Sequence, residues 1–467
     1  MQRIYSLGFA LFVPSLAFGQ QTEPTRQELA FAAGYKAMFT CSAVFNGGKS
    51  VEQIATDELQ FTYPIYEALF DNVGDTVIDR TKQIVTVSYI DNMPPRISAY
   101  RPHLGCTALP VGATQSMVSR LPKVSFDRPV HNIDAIWPMG DRLPNSLPID
   151  AVSKSRLDTV IDRAFSSSYG GRTSAIVVLK NGQIVGEHYK TGFDLNTSQR
   201  TWSVAKSVGA SVIGAAVYQG LIKIDEPAAL QAWSKPGDPR GTITIEHLLH
   251  MSSGLNSDPA GNRTDEIYMG GALVEQQATK SGLDAAPGTR WRYANNDTLL
   301  AMRALRERMD DQAYLDFPFK ALLHKIGTLN TVLETDWNGD FILSSQVWTT
   351  ARDLARLGQL YLQDGVWDGE RILPEGWASY VASPAPAQPW GEADEPEDGH
   401  RGYGAQFWRY LDYPGVPNDT YTALGNRGQF LIVVPSEKVV IVRRGYDYRG
   451  NYFDGPDFVA AVLGALN

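Results

Sequence analysis

Ser203 and Lys206 stand three residues apart in the run Ser203-Val204-Ala205-Lys206. On a helix that spacing puts a hydroxyl and an amine on one face, one turn apart. The run opens a segment in which Val208, Ala210, Val212, Ile213, Ala215, Ala216 and Val217 leave little polar face. A helix apolar all round is a buried helix. Burial disfavours the charged amine and lowers its pKa. An amine poised in that way can take the proton of a neighbouring serine and turn it into a nucleophile. The N-terminal end of the helix favours negative charge developing beside the serine.

Two further stretches supply groups such a pair would need. Tyr293-Ala294-Asn295 follows Pro287-Gly288-Thr289. It offers a phenol for proton transfer and an amide to hold a substrate carbonyl. Gly425-Asn426-Arg427-Gly428-Gln429 leads into the apolar run Phe430 to Val434. Glycines there let backbone approach a substrate and present N–H groups to an oxyanion. Each also has a plain structural reading, as a buried tyrosine beside a turn and a glycine-rich loop leading into a strand. Other chemistries find less support. His247 and His250 have no convincing third ligand nearby, so a helix face is the better reading than a metal pair, and no metal or cofactor is expected. No G-x-S-x-G elbow frames a serine for a Ser-His-Asp triad.

The elements that must position these groups are legible from periodicity. Leu157, Val160, Ile161, Ala164 and Phe165 recur at helical spacing. Ala175 to Leu179, then Asn181-Gly182, then Ile184 and Val185 spell a hairpin with a type I′ turn. A second hairpin joins Phe430–Val434 to Val439–Val442 through Pro435-Ser436-Glu437, and a last helix runs from about Pro456 to Leu466. Ahead of these, a helix is expected from about Gln27 to Phe45, a short one over Val51 to Leu59, and a strand over Ile84 to Ile90 that Arg96 to Tyr100 can pair with. No chemistry is evident in that N-terminal unit. Pro122, Pro129, Pro138, Pro144 and Pro148 mark an extended linker.

Composition bounds the partners. The chain has 467 residues, 43% hydrophobic and 20% charged, which allows a sizeable core and excludes wholesale disorder. A net charge of −9 without a basic block argues against nucleic acid. Arg3, the apolar run Ile4 to Phe18, and Ala17 and Gly19 at a small-residue cleavage site read as a secretory leader. No other stretch is long and apolar enough to span a membrane. The mature chain is therefore expected in the periplasm or outside the cell. In that setting Cys41 and Cys106, the only cysteines, favour a disulfide over two buried thiols. Closing its loop of about 64 residues would contribute on the order of 4 kcal/mol.

Taken in order, Ser203-Val204-Ala205-Lys206, Tyr293-Ala294-Asn295 and the Gly-rich strand start resemble the serine β-lactamase/penicillin-binding superfamily. The tyrosine motif is similar to the class C branch, which includes β-lactamase-type esterases and 6-aminohexanoate-dimer hydrolases. The stretches Ile243 to Leu255 and Thr350 to Trp377 also resemble family segments, and the likeness covers residues 150–467. It implies an α+β, transpeptidase-like fold: an antiparallel sheet of N- and C-terminal hairpins, flanked by helices, with an inserted helical subdomain. Residues 1–19 would then be the leader, 20–121 a small α+β extension and 122–149 the linker. The resemblance implies Ser203 as nucleophile, Lys206 and Tyr293 as base and acid, and Asn295 orienting the substrate. It puts an oxyanion hole at the N–H groups of Ser203 and Asn426, with Gly425 and Arg427 beside the substrate. Ala423-Leu424-Gly425 stands where β-lactamases and peptidases carry K-T-G or H-T-G. The missing cation leans the expectation toward a small ester or non-peptide amide, with Arg427 as the alternative source of charge. The competing readings are a D,D-peptidase or β-lactamase, and a catalytically silent penicillin-recognising sensor.

Overall fold

The computed structural model describes residues 23–130, 132–257, 264–388 and 400–467. The leader-like run over residues 1–19 lies outside the described residues.

Helix α1 (Arg26–Phe45) opens on a reciprocal cap: the Thr25 hydroxyl accepts from the Glu28 N–H, and the Glu28 carboxylate accepts from the Thr25 N–H. Helix α2 (Val51–Asp57) stops two residues short of the expected end, where Asp57 and Glu58 turn to the buried Lys49 ammonium at 3.6 and 2.5 Å. Strands β1 (Val77–Asp79), β2 (Ile84–Val87), β3 (Arg96–Arg101) and β4 (Gly105–Ala108) form an antiparallel sheet in sequence order. Strand β2 is shorter than its periodicity suggests. Its pairing ends where Val87 meets Arg96, because Pro94 and Pro95 have no N–H to continue the ladder. The Cys41–Cys106 disulfide joins α1 to β4.

Residues 122–130 and 132–149 run over the next unit, not extended throughout as expected but folded back where Ile136 bridges Arg142. Trp137 is buried and donates its indole N–H to Gly182 O at 2.9 Å. The Arg356 guanidinium donates to Pro138 O and Gly140 O, each at 2.9 Å.

The large sheet takes its order from the two hairpins. Helix α3 (Ala151–Arg163) precedes β5 (Thr173–Lys180) and β6 (Gln183–Tyr189), joined through Asn181 and Gly182 at φ 49° and 78°, the left-handed pair a type I′ turn requires. Helices α4 (Val204–Tyr218), α5 (Asn295–Arg306) and α6 (Ala351–Leu362) follow, then β7 (Arg401–Tyr403), β8 (Trp408–Tyr410), β9 (Tyr421–Gly425), β10 (Gln429–Val434), β11 (Val439–Gly445) and α7 (Gly455–Leu466). The strands run β7-β8-β9-β10-β11-β5-β6, all antiparallel. Both faces are covered. Ala175, Val177 and Leu179 join the core under α4 and α6, whereas Ile176 and Val178 join the core under α3 and α7. That is why β5 reads as an unbroken apolar run. Helix α4, sandwiched between the sheet and the helical middle of the chain, is buried from Val204 to Ala216.

One buried carboxyl group stitches the N-terminal unit to this sheet domain. Glu334 accepts from the Ser42 hydroxyl at 2.6 Å, Asn46 Nδ2 at 2.8 Å and the Cys106 N–H at 3.1 Å. Burial raises its pKa from 4.5 to about 7, against the pull of Ser42 and Arg200. Between pH 4.5 and 7 the folded protein holds a proton that the unfolded chain releases. Stability must therefore fall as pH rises through that window. Burial raises Asp297 and Asp336 to about 7 as well, so they add slopes of the same sign. Glu334→Gln should shrink the loss of stability between pH 5 and pH 7.5 in urea unfolding. An unchanged slope would rule out Glu334 as a contributor.

Candidate active site

The chain reaches Ser203 through a short strand, Gln199–Arg200, paired with Val347–Thr349. Trp202 then adopts φ 51°, a left-handed conformation that is strained for a bulky residue. Its ring is clamped by Arg200, whose guanidinium lies 3.8 Å from the Trp202 ring and 4.3 Å from Phe39 of α1. Ser203 is the N-cap of α4, but its side chain makes no capping bond. The hydroxyl is left to Lys206, whose Nζ donates to it at 3.2 Å.

Lys206 is 1% exposed. Its three donors are matched by three oxygens: Ser203 Oγ, Asn295 Oδ1 at 2.7 Å and Ser344 O at 2.8 Å. No carboxylate compensates the charge, and burial alone lowers the pKa from 10.5 to about 7. The Tyr293 ring centroid lies 4.8 Å from Nζ. Trp408, at 5.5 Å between centroids, and Tyr403, at 6.2 Å, brace that ring. Burial holds the Tyr293 phenol above its ordinary value, with the Ser203 hydroxyl pulling the other way. Asn295 begins α5 and spends its carbonyl on Lys206.

The strand start approaches from β9. A Cβ on Gly425 would lie 2.2 Å from Thr201 O, so only glycine lets the strand end close on the Ser203 segment. Asn426 lines a cleft of about 240 Å³ together with Ser203, Tyr293 and Asn295. The site thus brings together four of the expected groups, with Lys206 directly behind Ser203 and Gly425 packed alongside. Arg427 does not join them. At φ 60° its guanidinium turns away from the cleft and is 2% exposed, donating to Asp57 O, to Thr62 Oγ1 at 3.0 Å and to Asp447 O at 3.3 Å. Its charge is committed to holding the N-terminal unit. His247 and His250 lie outside the cleft as well; His247 Nδ1 accepts from the Thr244 N–H as part of a helix cap.

Four aromatic or acidic side chains in the cleft escape a reading of the sequence. Trp202 and Tyr268 line it, and Asp265 brings the carboxylate. Trp202 adjoins the motif and could have been noticed; Asp265 and Tyr268 carry no motif. The least legible is Tyr63. It comes from the N-terminal unit, in which no chemistry was expected, and only the packing of α1 against Trp202 brings it here.

Comparison with known proteins follows the same part of the chain. A family model described as Beta-lactamase matches residues 159–443. The 6-aminohexanoate-dimer hydrolase of Paenarthrobacter ureafaciens is 25% identical over 288 residues, covering 58% of this chain and 72% of that protein. Among solved structures, a family VIII carboxylesterase superposes with a TM-score of 0.55 at 14% identity, over 68% of this chain and 98% of its own. A penicillin-binding protein homologue from Caulobacter crescentus gives 0.54 at 15% identity, over 68% and 99%. These structures share the fold of helices packed on an antiparallel sheet.

The geometry makes a prediction that needs no knowledge of the substrate. A small fluorophosphonate should label Ser203 faster as pH rises through about 7, where Lys206 loses its proton, and then level off. Lys206→Met should slow labelling by roughly a hundredfold or more. A flat profile from pH 5 to 9 would separate Lys206 from the reactivity of Ser203.

Proposed function

Because the chain belongs to the β-lactamase family and is a hydrolase of that family, we propose that it cleaves a small ester or amide through an acyl-enzyme on Ser203. The observation that carries this reading is the 3.2 Å contact between Ser203 Oγ and a buried lysine poised near neutrality. Neutral Lys206 takes the hydroxyl proton as Oγ attacks the scissile carbonyl. Tyr293 is the weaker base, since burial keeps its phenol protonated. It serves instead to pass the proton from Lys206 to the leaving group. The N–H groups of Ser203, at the helix end, and of Asn426, in the turn after β9, receive the oxyanion; both residues line the cleft. Asn295 orients Lys206 as well as the substrate. In deacylation water takes the leaving group's place: it gives up a proton to Lys206 by way of Tyr293 as its oxygen attacks the acyl carbonyl, the C–Oγ bond breaks to free the acid, and Lys206 returns the proton to Ser203.

The lining of the cleft favours neutral substrates over carboxylates. Asp265 is its acidic group, and no cation lines it among the described residues. Ala423, where relatives carry a cation, is 1% exposed in the core, and Arg427 is committed elsewhere. The 6-aminohexanoate dimer for which the relative is named fits this reading as an amide whose carboxylate lies far from the scissile bond. We further propose that the protein acts after export. The leader-like residues 1–19 and the Cys41–Cys106 disulfide support this. Among the described residues no helix is long and apolar enough to cross a membrane.

The test is a panel of a short aryl ester, a 6-aminohexanoate dimer, a D-Ala-D-Ala peptide and a chromogenic cephalosporin. Ser203→Ala should abolish turnover with the fold intact. An anion gains about 1.5–3 kcal/mol from a charge-assisted bond, so its absence should leave the cephalosporin at least about tenfold behind the best neutral substrate in kcat/KM. A cephalosporin turned over faster than every ester and amide would overturn the substrate class.

A further inference from the structure

Residues 57–66 belong to the N-terminal unit, yet they are bolted to the sheet domain. The Asp57 carboxylate pairs with Arg172 at 3.3 Å, and the Asp57 carbonyl accepts from Arg427. Arg427 also donates to Thr62 Oγ1, at 3.0 Å. Arg427 sits in the very turn that carries Asn426. Phe61, left-handed at φ 61°, stacks on Tyr448 with centroids 5.0 Å apart.

Between these fastenings the backbone winds around one carboxylate. The N–H groups of Phe61, Thr62 and Tyr63 donate to Glu67 at 2.9, 2.7 and 2.6 Å, and the Tyr35 hydroxyl donates at 3.3 Å. Bonds of this kind, to a charged acceptor, are the strong ones. The side chain so presented is Tyr63. Its ring packs against Tyr35, Phe39 and Trp202 at centroid distances of 5.3, 5.8 and 6.2 Å, and forms one wall of the cleft around Ser203. Tyr66 donates to Asp265 at 2.7 Å and so ties the same segment to a second cleft residue.

A ring supported by three aromatic neighbours and a triply bonded backbone cannot swing aside to admit a larger group. The cleft it bounds, about 240 Å³, is small beside the several hundred Å³ usual for ligand pockets. We infer that Tyr63 is a specificity residue, a fixed wall that limits the length of the group carried on the scissile carbonyl. The N-terminal unit is then part of the active site. The inference rests on Ser203 being the nucleophile of that cleft.

Two fluorophosphonates, one with a short and one with a long alkyl chain, read this at Ser203 without requiring turnover. Wild type should favour the short probe. Tyr63→Ala, and Tyr63→Leu as the variant that keeps an apolar contact with Trp202, should shift the long-to-short ratio of labelling rates upward by at least about tenfold. Tyr63→Phe, which keeps the ring, should keep the wild-type ratio. Hydrolysis of p-nitrophenyl octanoate and acetate should show the same shift. An unchanged ratio with Ser203 still labelled would overturn the filter. So would a proportional fall for both probes in a folded variant, which would make Tyr63 a structural support. No labelling of wild-type Ser203 by either probe would instead sink the nucleophile assignment, and this inference with it.

Discussion

The candidate active site is organised around an ammonium group buried without a counter-charge. Lys206 is fully enclosed, and its partners are a hydroxyl, an amide oxygen and a backbone carbonyl. These satisfy its hydrogen bonds but not its charge, so the low-dielectric surroundings pull its pKa down to about 7. A carboxylate within a few ångströms would pin the proton on the lysine and remove the base. Asp297, two residues beyond Asn295, is kept apart: it is buried, bonded by the Ser253 hydroxyl, and itself shifted toward the neutral form. The burial and largely apolar character of α4 thus serve the proposed chemistry as well as packing, because they hold charge away from Nζ.

The same helix start depends on strain that its neighbours hold in place. Trp202 in the left-handed region aims Ser203 into the cleft, and Arg200 clamps the Trp202 ring against Phe39. Phe39 belongs to α1, so the clamp spans the two units. Glu334 and Arg427 span them as well, one bonding Ser42, Asn46 and Cys106, the other bonding Asp57 and Thr62. Each crossing uses a buried polar group that would be costly to leave unmatched. Separating the units would strand all three, which is why the N-terminal unit behaves as part of the enzyme's body. Membership of the β-lactamase family accounts for residues 159–443. The wall contributed by Tyr63 lies outside that match.

Much of this was legible beforehand, for local reasons. The S-x-x-K run, the Tyr293-Ala294-Asn295 element and the glycine-rich strand start are contiguous, and contiguous residues carry their geometry with them: helix spacing sets Ser203 against Lys206, and a glycine admits close approach. The two hairpins and α7 follow from period and turn chemistry. Burial on both faces turned β5 into a continuous apolar run, and the Asn181-Gly182 turn resolved it as a strand. Periodicity overshoots the end of β2, because it reports which residues suit a strand, whereas a ladder ends where its partner runs out.

What the tertiary structure alone decided is the direction of long side chains and the meeting of distant ones. Arg427 has the right type and place to receive a substrate carboxylate, but the nearby acceptors of residues 57–62 draw it to the opposite side. Tyr63 and Ser203 share a cleft because α1, tied to β4 by a disulfide, presses its aromatic face on Trp202. Nothing in the residues around Tyr63 encodes that encounter. Local pattern is set by backbone sterics and by the period of apolar burial, both short-ranged and written in order along the chain. Which cation finds which acceptor, and which ring closes which cleft, depends on competition among groups far apart in sequence, and only the packed molecule resolves it.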